Sequence, residues 1–250
     1  CLFKSSSFEV ILNKIKPIIF SLIKKIPFSI LSIPTFEDCK DSIFNSDTKP
    51  GFRYEEYLKQ GTKRAAYDTA MSVAKVRWNE IEVSCRKTKK IKRNRLIPSI
   101  YSIGARNKRD YFYEPNEEIT SRAVHMPEFH TEITSAPWID QITNHIKNVK
   151  RGSIFIGNSF IEYNRLNKVI KNSNDVLEGD WKRFDSSLYI YMIIFGVALM
   201  RCFYPLNSKR ADYHFIAIFD TVGIKDYYTP GGNMYRLIHG LPSGVKSTSI

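Results

Sequence analysis

Residues 179–187 read Gly-Asp-Trp-Lys-Arg-Phe-Asp-Ser-Ser, and an apolar run from Leu188 to Met200 follows at once. No other stretch limits the fold so strongly. The short apolar pair Val176-Leu177 ahead of it predicts a strand ending near Asp180, then a turn, then a helix starting near Asp185. Asp180 would stand at the C-terminal edge of a buried strand. Asp185 or Ser186 would cap the helix, because both side chains accept hydrogen bonds from the free N–H groups of a first turn. Both carboxylates would then face one cleft. A carboxylate at a strand end suits Mg²⁺, which prefers oxygen ligands and keeps positions open for substrate phosphates. The same spacing also describes a plain helix cap beside a surface turn residue, so it carries a site only with support from elsewhere.

That support stands at 240–248, Gly-Leu-Pro-Ser-Gly-Val-Lys-Ser-Thr. This small-residue loop should open a helix near Val245. Gly244 lets backbone approach a ligand closely. Ser243 offers a hydroxyl, and Thr248 follows on the same face. Hydroxyls and free N–H groups at a helix start can hold a ribose or a phosphate. Taken alone, it is an ordinary loop-to-helix junction.

Charge narrows the partner. Lys and Arg number 38 against 25 acidic residues, a net charge of +13, which points to a polyanion such as nucleic acid or an anionic membrane surface. The 43% hydrophobic content is enough for a sizeable core and excludes a disordered chain. Cys1, Cys39, Cys85 and Cys202 match no zinc spacing and are too sparse for a disulfide framework. They read as free thiols. The chain opens on Cys1 and stops at Ile250 just after a Ser-Gly turn, and is expected to be a fragment.

Residues 8–33 are apolar but interrupted by Lys14, Lys16, Lys24, Lys25, Pro17 and Pro27. A spanning helix needs about 20 residues with few charges, so stable membrane insertion is not expected. Two short amphipathic helices split at the prolines are, either packed on the body or lying on a membrane surface. Residues 34–50 have loop composition. A helix is predicted from about Thr62 to Val83, burying Ala66, Ala70, Val73 or Ala74, Trp78 and Ile81, with Lys63, Arg64, Lys75 and Arg77 on other faces. A dense run of Lys and Arg fills 86–95, and Arg106, Lys108 and Arg109 follow among Tyr101, Tyr111, Phe112 and Tyr113. Basic residues interleaved with aromatics suit a groove for single-stranded nucleic acid; they also suit a solvated face.

Further on, Ser121 to Pro127 alternates like a strand, with Arg122 and Val124 on one face. His125 and His130 read as structural histidines rather than metal ligands. Ser135 is expected to cap a helix with Pro137 in its first turn and Gly152 at its end. A strand at 153–156 and a helix at 161–171 lead back to Asp180. After the helix at 186–203, a helix over 209–222 should bury Phe215, Ile218, Phe219 and Val222. A Pro-Gly-Gly hairpin spans Tyr227 to Tyr235. Alternating helices and strands indicate an α/β or α+β fold.

The pair D-W-x-x-F-D and, downstream, G-L-P-S-G-x-x-x-T resembles palm motifs A and B of viral RNA-dependent RNA polymerases. The wording D-W-K-R-F-D, with S-R-A-V-H-M-P-E at 121–128, looks most like double-stranded RNA viruses of the partitivirus and picobirnavirus group, plant cryptic viruses in particular. The resemblance runs from about Lys49 onward and is strongest in 121–132, 151–163, 179–187 and 240–248. It implies a right-hand polymerase with fingers and a truncated, ferredoxin-like palm. Asp180 would bind the catalytic metals, two Mg²⁺ or Mn²⁺ ions in the complete enzyme. Asp185 would sense the ribose 2′-OH, while Ser243, Gly244 and Thr248 would shape the nucleotide loop. Arg122 resembles the motif F arginine facing the triphosphate, with Lys108 and Arg109 on the same basic wall. Lys49-Pro50-Gly51-Phe52-Arg53 resembles motif G, where template enters, which makes Arg53 an RNA contact.

The implied partners are template RNA, nucleoside triphosphates and a viral coat protein, in the virion or the host cytoplasm. The implied organisation is an N-terminal extension with fingertip helices at 1–48, fingers at 49–172 and partial palm at 173–250. One departure stands out. The Gly-Asp-Asp of motif C does not occur, and the motif B asparagine would fall beyond Ile250. These 250 residues alone are therefore expected not to polymerise. Two alternatives remain at this point. A reverse transcriptase of a mobile element shares the palm, but it usually has an aromatic residue in place of Asp185 and Gln in place of Ser243. A non-catalytic basic RNA-binding module explains the charge but not the two motifs.

Overall fold

The computed structural model describes residues 10–14, 16–18, 21, 30–87, 100–107, 121–148, 164, 167–168, 170–172, 187–228 and 232–242. Its elements include helices α1 (Phe52–Glu56), α2 (Lys63–Arg86), α3 (Phe129–Asn148), α4 (Ile190–Arg201) and α5 (Lys209–Val222). Strands β1 (Ile100–Asn107), β2 (Ser121–Met126), β3 (Lys225–Tyr228) and β4 (Met234–Leu237) complete the description.

Helix α2 forms where its periodicity places it. Thr62 caps it, its hydroxyl accepting from the Ala65 N–H at 3.2 Å. Ala66, Ala70, Ala74, Trp78 and Ile81 are buried, and the small alanines allow close approach to α3. Arg77 departs from the expected polar face. It is buried, and its guanidinium donates to the Thr221 hydroxyl on α5 at 3.3 Å.

Helix α3 begins at Phe129, ahead of Ser135, so Pro137 lies inside it rather than in its first turn. Ser135 is therefore not a cap. Its hydroxyl donates to the Thr131 and Glu132 carbonyls, each at 3.1 Å. An internal proline costs about 3 kcal/mol. Burial of Phe129, Ile133, Trp138, Ile139 and Ile142 along one face outweighs it, since each such side chain contributes roughly 1.5–3 kcal/mol.

Helix α5 is the centre of the helical body, against α2, α3, α4 and β3. Ser208 caps it through Ala211 N–H at 3.2 Å. The expected Phe215, Ile218, Phe219 and Val222 are buried, with His214 and Asp220 as well. His214 stacks on Trp138 with centroids 4.7 Å apart and tilts against Trp78 at 4.2 Å. The turn from α4 to α5 is organised by Arg201. It donates to the carbonyls of Tyr204, Pro205 and Ser208, and to Asp212 at 2.7 Å. Lys16 reaches the same Asp212 carboxylate at 2.7 and 2.8 Å, tying the N-terminal helical residues to this corner. Pro17 lies within helical residues 16–18 and does not separate two helices there.

Residues 30–50 run across the body. The loop composition holds apart from a short 3-10 turn at Glu37–Asp41, which rests on α3. Leu31 N–H bonds the Phe203 carbonyl at 2.8 Å, and Phe36 meets Trp78 edge-on. Cys39, Cys85 and Cys202 are free thiols. Among the described residues no helix is long and apolar enough to cross a membrane.

The four strands form one mixed sheet in the order β2-β1-β3-β4. β1 pairs antiparallel with β2 and parallel with β3, and β3 pairs antiparallel with β4. Helices around a mixed sheet agree with the α/β (α+β) expectation. β1 was not anticipated, because its basic end reads as part of an RNA-facing patch. The hairpin at 227–235 forms as expected, with Tyr227 opposite Tyr235. The strands expected at 153–156 and 176–180 lie outside the described residues.

Candidate polymerase site

The two motif stretches meet at their described edges. The helix expected to start near Asp185 starts at Ile190, after Tyr189 in extended conformation with ψ 152° and no side-chain cap bond. The N-cap position of α4 is Tyr189, and the expected caps Asp185 and Ser186 lie outside the described residues. Ser187 is helical, and Leu188 and Tyr189 are not. A tertiary contact stands there: Leu188 is buried, and its carbonyl accepts from Gly240 N–H at 2.8 Å. Gly240, the first residue of the 240–248 loop, adopts φ +72°, a left-handed conformation that glycine enters without strain. Its carbonyl accepts from Lys225 Nζ at 2.7 Å. One glycine thus joins the chain after Asp185 to the strand before the loop.

Strand β3 gathers the remaining segments. Lys225 holds Gly240, and Asp226 receives a two-pronged contact from Arg236 of β4 at 2.7 and 3.1 Å. Tyr227 shares a hydrogen bond with His125 of β2 at 2.8 Å. The Tyr228 ring packs on Phe52 at 4.9 Å. His125 thus has the structural role expected of it. So does His130, which is buried with Nδ1 3.0 Å from the Tyr54 hydroxyl.

Arg122 lies on β2 opposite Arg106 of β1. The 49–53 segment docks on the link between β2 and α3. Phe129 N–H bonds the Pro50 carbonyl at 2.8 Å. Gly51 has φ +104°, and a Cβ there would meet Glu128 Cα at 2.9 Å, so only glycine fits. Arg53 is partly exposed, its Nε 3.4 Å from the Glu128 carboxylate. That carboxylate is buried, with His130 Nε2 at 3.7 Å. Burial pushes it up to about 7, against the opposing pull of Arg53.

Asp180, Asp185, Ser243, Gly244, Thr248, Lys108 and Arg109 lie outside the described residues. Among the described residues no cluster of His, Cys, Asp or Glu could hold a metal ion. Sequence reasoning passed over Lys225 and Leu188. The signal for Lys225 was a lysine between the buried face of α5 and two aromatic strand residues. Leu188 acts through its carbonyl, which leaves no trace in side-chain patterning.

No curated protein matches the chain. The family model described as viral RNA-dependent RNA polymerase matches residues 28–250, nearly the whole chain, and it carries the same assignment as the two motifs joined at Gly240. The chain belongs to the viral RNA-dependent RNA polymerases.

Proposed function

We propose that this chain supplies the fingers and part of a ferredoxin-like palm of a polymerase that replicates and transcribes the genome of a partitivirus-like double-stranded RNA virus. The observation that carries this reading is the Gly240–Leu188 hydrogen bond. It brings Leu188, three residues after Asp185, against Gly240, three residues before Ser243, which supports a nucleotide site shared by the two motifs.

The roles are those the motif resemblance implies, and the chemistry agrees with them. Asp180 is the metal-binding carboxylate, an oxygen donor suited to Mg²⁺ or Mn²⁺. When bound, two such ions supply Lewis acidity for nucleotidyl transfer. Asp185 accepts from the ribose 2′-OH, and Ser243 and Thr248 support that contact. Arg122, with Arg106 opposite, balances the charge of the incoming triphosphate. Arg53, Lys108 and Arg109 contact template phosphates, and the net charge of +13 favours RNA throughout. A coat protein would be the partner in the virion, with activity there or in the host cytoplasm. No Gly-Asp-Asp occurs in the 250 residues, so this chain alone is inactive.

The test is RNA-templated incorporation by the polymerase that joins these residues to a Gly-Asp-Asp segment. Asp180→Ala is expected to lower incorporation by about a thousandfold or more. Incorporation by the Asp180→Ala enzyme at the wild-type rate would remove Asp180 from the site.

A further inference from the structure

Lys225 is 2% exposed, and among the described residues no carboxylate pairs with it. Its ammonium donates to the Gly240 carbonyl at 2.7 Å and to the Val222 carbonyl at 3.3 Å. Burial alone lowers it to about 8. A buried amine without a counter-ion is costly, and a methionine would fill similar space without that cost. What the ammonium adds is a charged donor at the end of a long stem, and charge-assisted hydrogen bonds are the stronger kind. It is spent on two backbone carbonyls, and the shorter bond is to Gly240. The other polar group of that residue, the Gly240 N–H, is bonded to Leu188. Gly240 is therefore held from both sides. Only Leu241 and Pro242 separate it from Ser243, and proline has a fixed φ, so little freedom lies between the clamp and the loop.

We propose that Lys225 is a positioning residue for nucleotide binding: by holding the Gly240 carbonyl, its ammonium sets where the 240–248 loop starts relative to the chain that follows Asp185. The proposal rests on the polymerase reading of that loop. Lys225 lies in none of the motifs that carry the family resemblance, and it acts through Gly240 rather than on substrate.

The test pairs kinetics with amide hydrogen exchange on Lys225→Met. In the complete polymerase, KM for the incoming nucleotide should rise about tenfold with a smaller fall in kcat, as expected for one lost charged hydrogen bond. In the 250-residue chain, protection of the Gly240 amide should fall by about the same factor. Should Lys225→Met fail to fold, the wild-type chain decides. Gly240 protection should then decline as pH rises through about 8. Unchanged KM and unchanged Gly240 protection would overturn the proposal, as would wild-type protection that is flat across that pH range. A lower melting temperature with normal KM would make Lys225 merely structural and overturn it too. If the wild-type polymerase incorporates nothing, the polymerase reading fails, while Gly240 exchange still judges the clamp.

Discussion

Helices α4 and α5 follow one another in the chain, and their burial reverses what their sequences suggest. α4 is apolar through almost its whole length, yet Tyr191, Met192, Phe195 and Leu199 are exposed. α5 carries Lys209, Arg210, Asp212, His214 and Asp220, yet every residue from Tyr213 to Val222 is buried. Position explains this. α5 touches α2, α3, α4 and β3, whereas the main partner of α4 is α5. A helix surrounded on all sides must satisfy polar groups internally, as Arg210, His214 and Thr221 of α5 do. Glu82 on α2 receives hydrogen bonds from Arg210 and His214, and Thr221 bonds the Ala217 carbonyl at 3.0 Å. Apolar sequence measures what a helix can bury; topology decides what it does bury.

The comparison breaks most readily at matched phenylalanines. Phe215→Ala on α5, which empties a site against Trp138 and Tyr204, should cost about 4 kcal/mol in denaturant unfolding. Phe195→Ala on α4 should cost under about 0.5 kcal/mol. Equal losses would mean that α4 is as enclosed as α5.

Acid should find α5 next. Burial works against the Glu82 carboxylate, but the hydrogen bonds from His214 and Arg210 outweigh it and hold its pKa down at about 2. Its folded value lies below the ordinary 4.5. The stabilisation is therefore complete above about pH 4.5 and is lost as pH falls toward 2. Glu82→Gln should remove about 2 kcal/mol at neutral pH and flatten that acid limb. An acid limb that survives in the variant would assign it to other carboxylates.

Glycines give the smaller contrast. A Cβ at Gly223, just after α5, would meet the Phe219 ring at 2.6 Å, whereas one at Gly196 in α4 meets nothing within 4 Å. Gly223→Ala should therefore lose about 1–2 kcal/mol through overpacking. Gly196→Ala should gain about 0.5–1 kcal/mol through helix propensity. Thermal unfolding with opposite signs would confirm the contrast, and a loss at Gly196 would show that the outer face of α4 is covered.

The sequence made α2, α5, β2 and the 227–235 hairpin legible, because each repeats one period over its length and has caps or turn residues at its ends. It misjudged α3, where burial of Phe129 and Ile133 carries the helix back beyond the start that Ser135 and Pro137 suggest. It hid β1, whose pairing is non-local: β1 lies between β2 and a strand more than a hundred residues on. At the site, the two motifs were visible as residue types in order, but their junction was not. Gly240 and Leu188 meet through backbone groups, and Lys225 gains its meaning only when buried beside a carbonyl distant in sequence.

The most direct measurement gives the complete polymerase an RNA template with either four ribonucleoside triphosphates or four 2′-deoxy analogues. Complementary RNA from the first mixture, with deoxynucleotide incorporation reduced by about a hundredfold or more, is the result expected of Asp185 at the ribose. DNA synthesis from the second mixture at a comparable rate would contradict the account and place the chain with the reverse transcriptases.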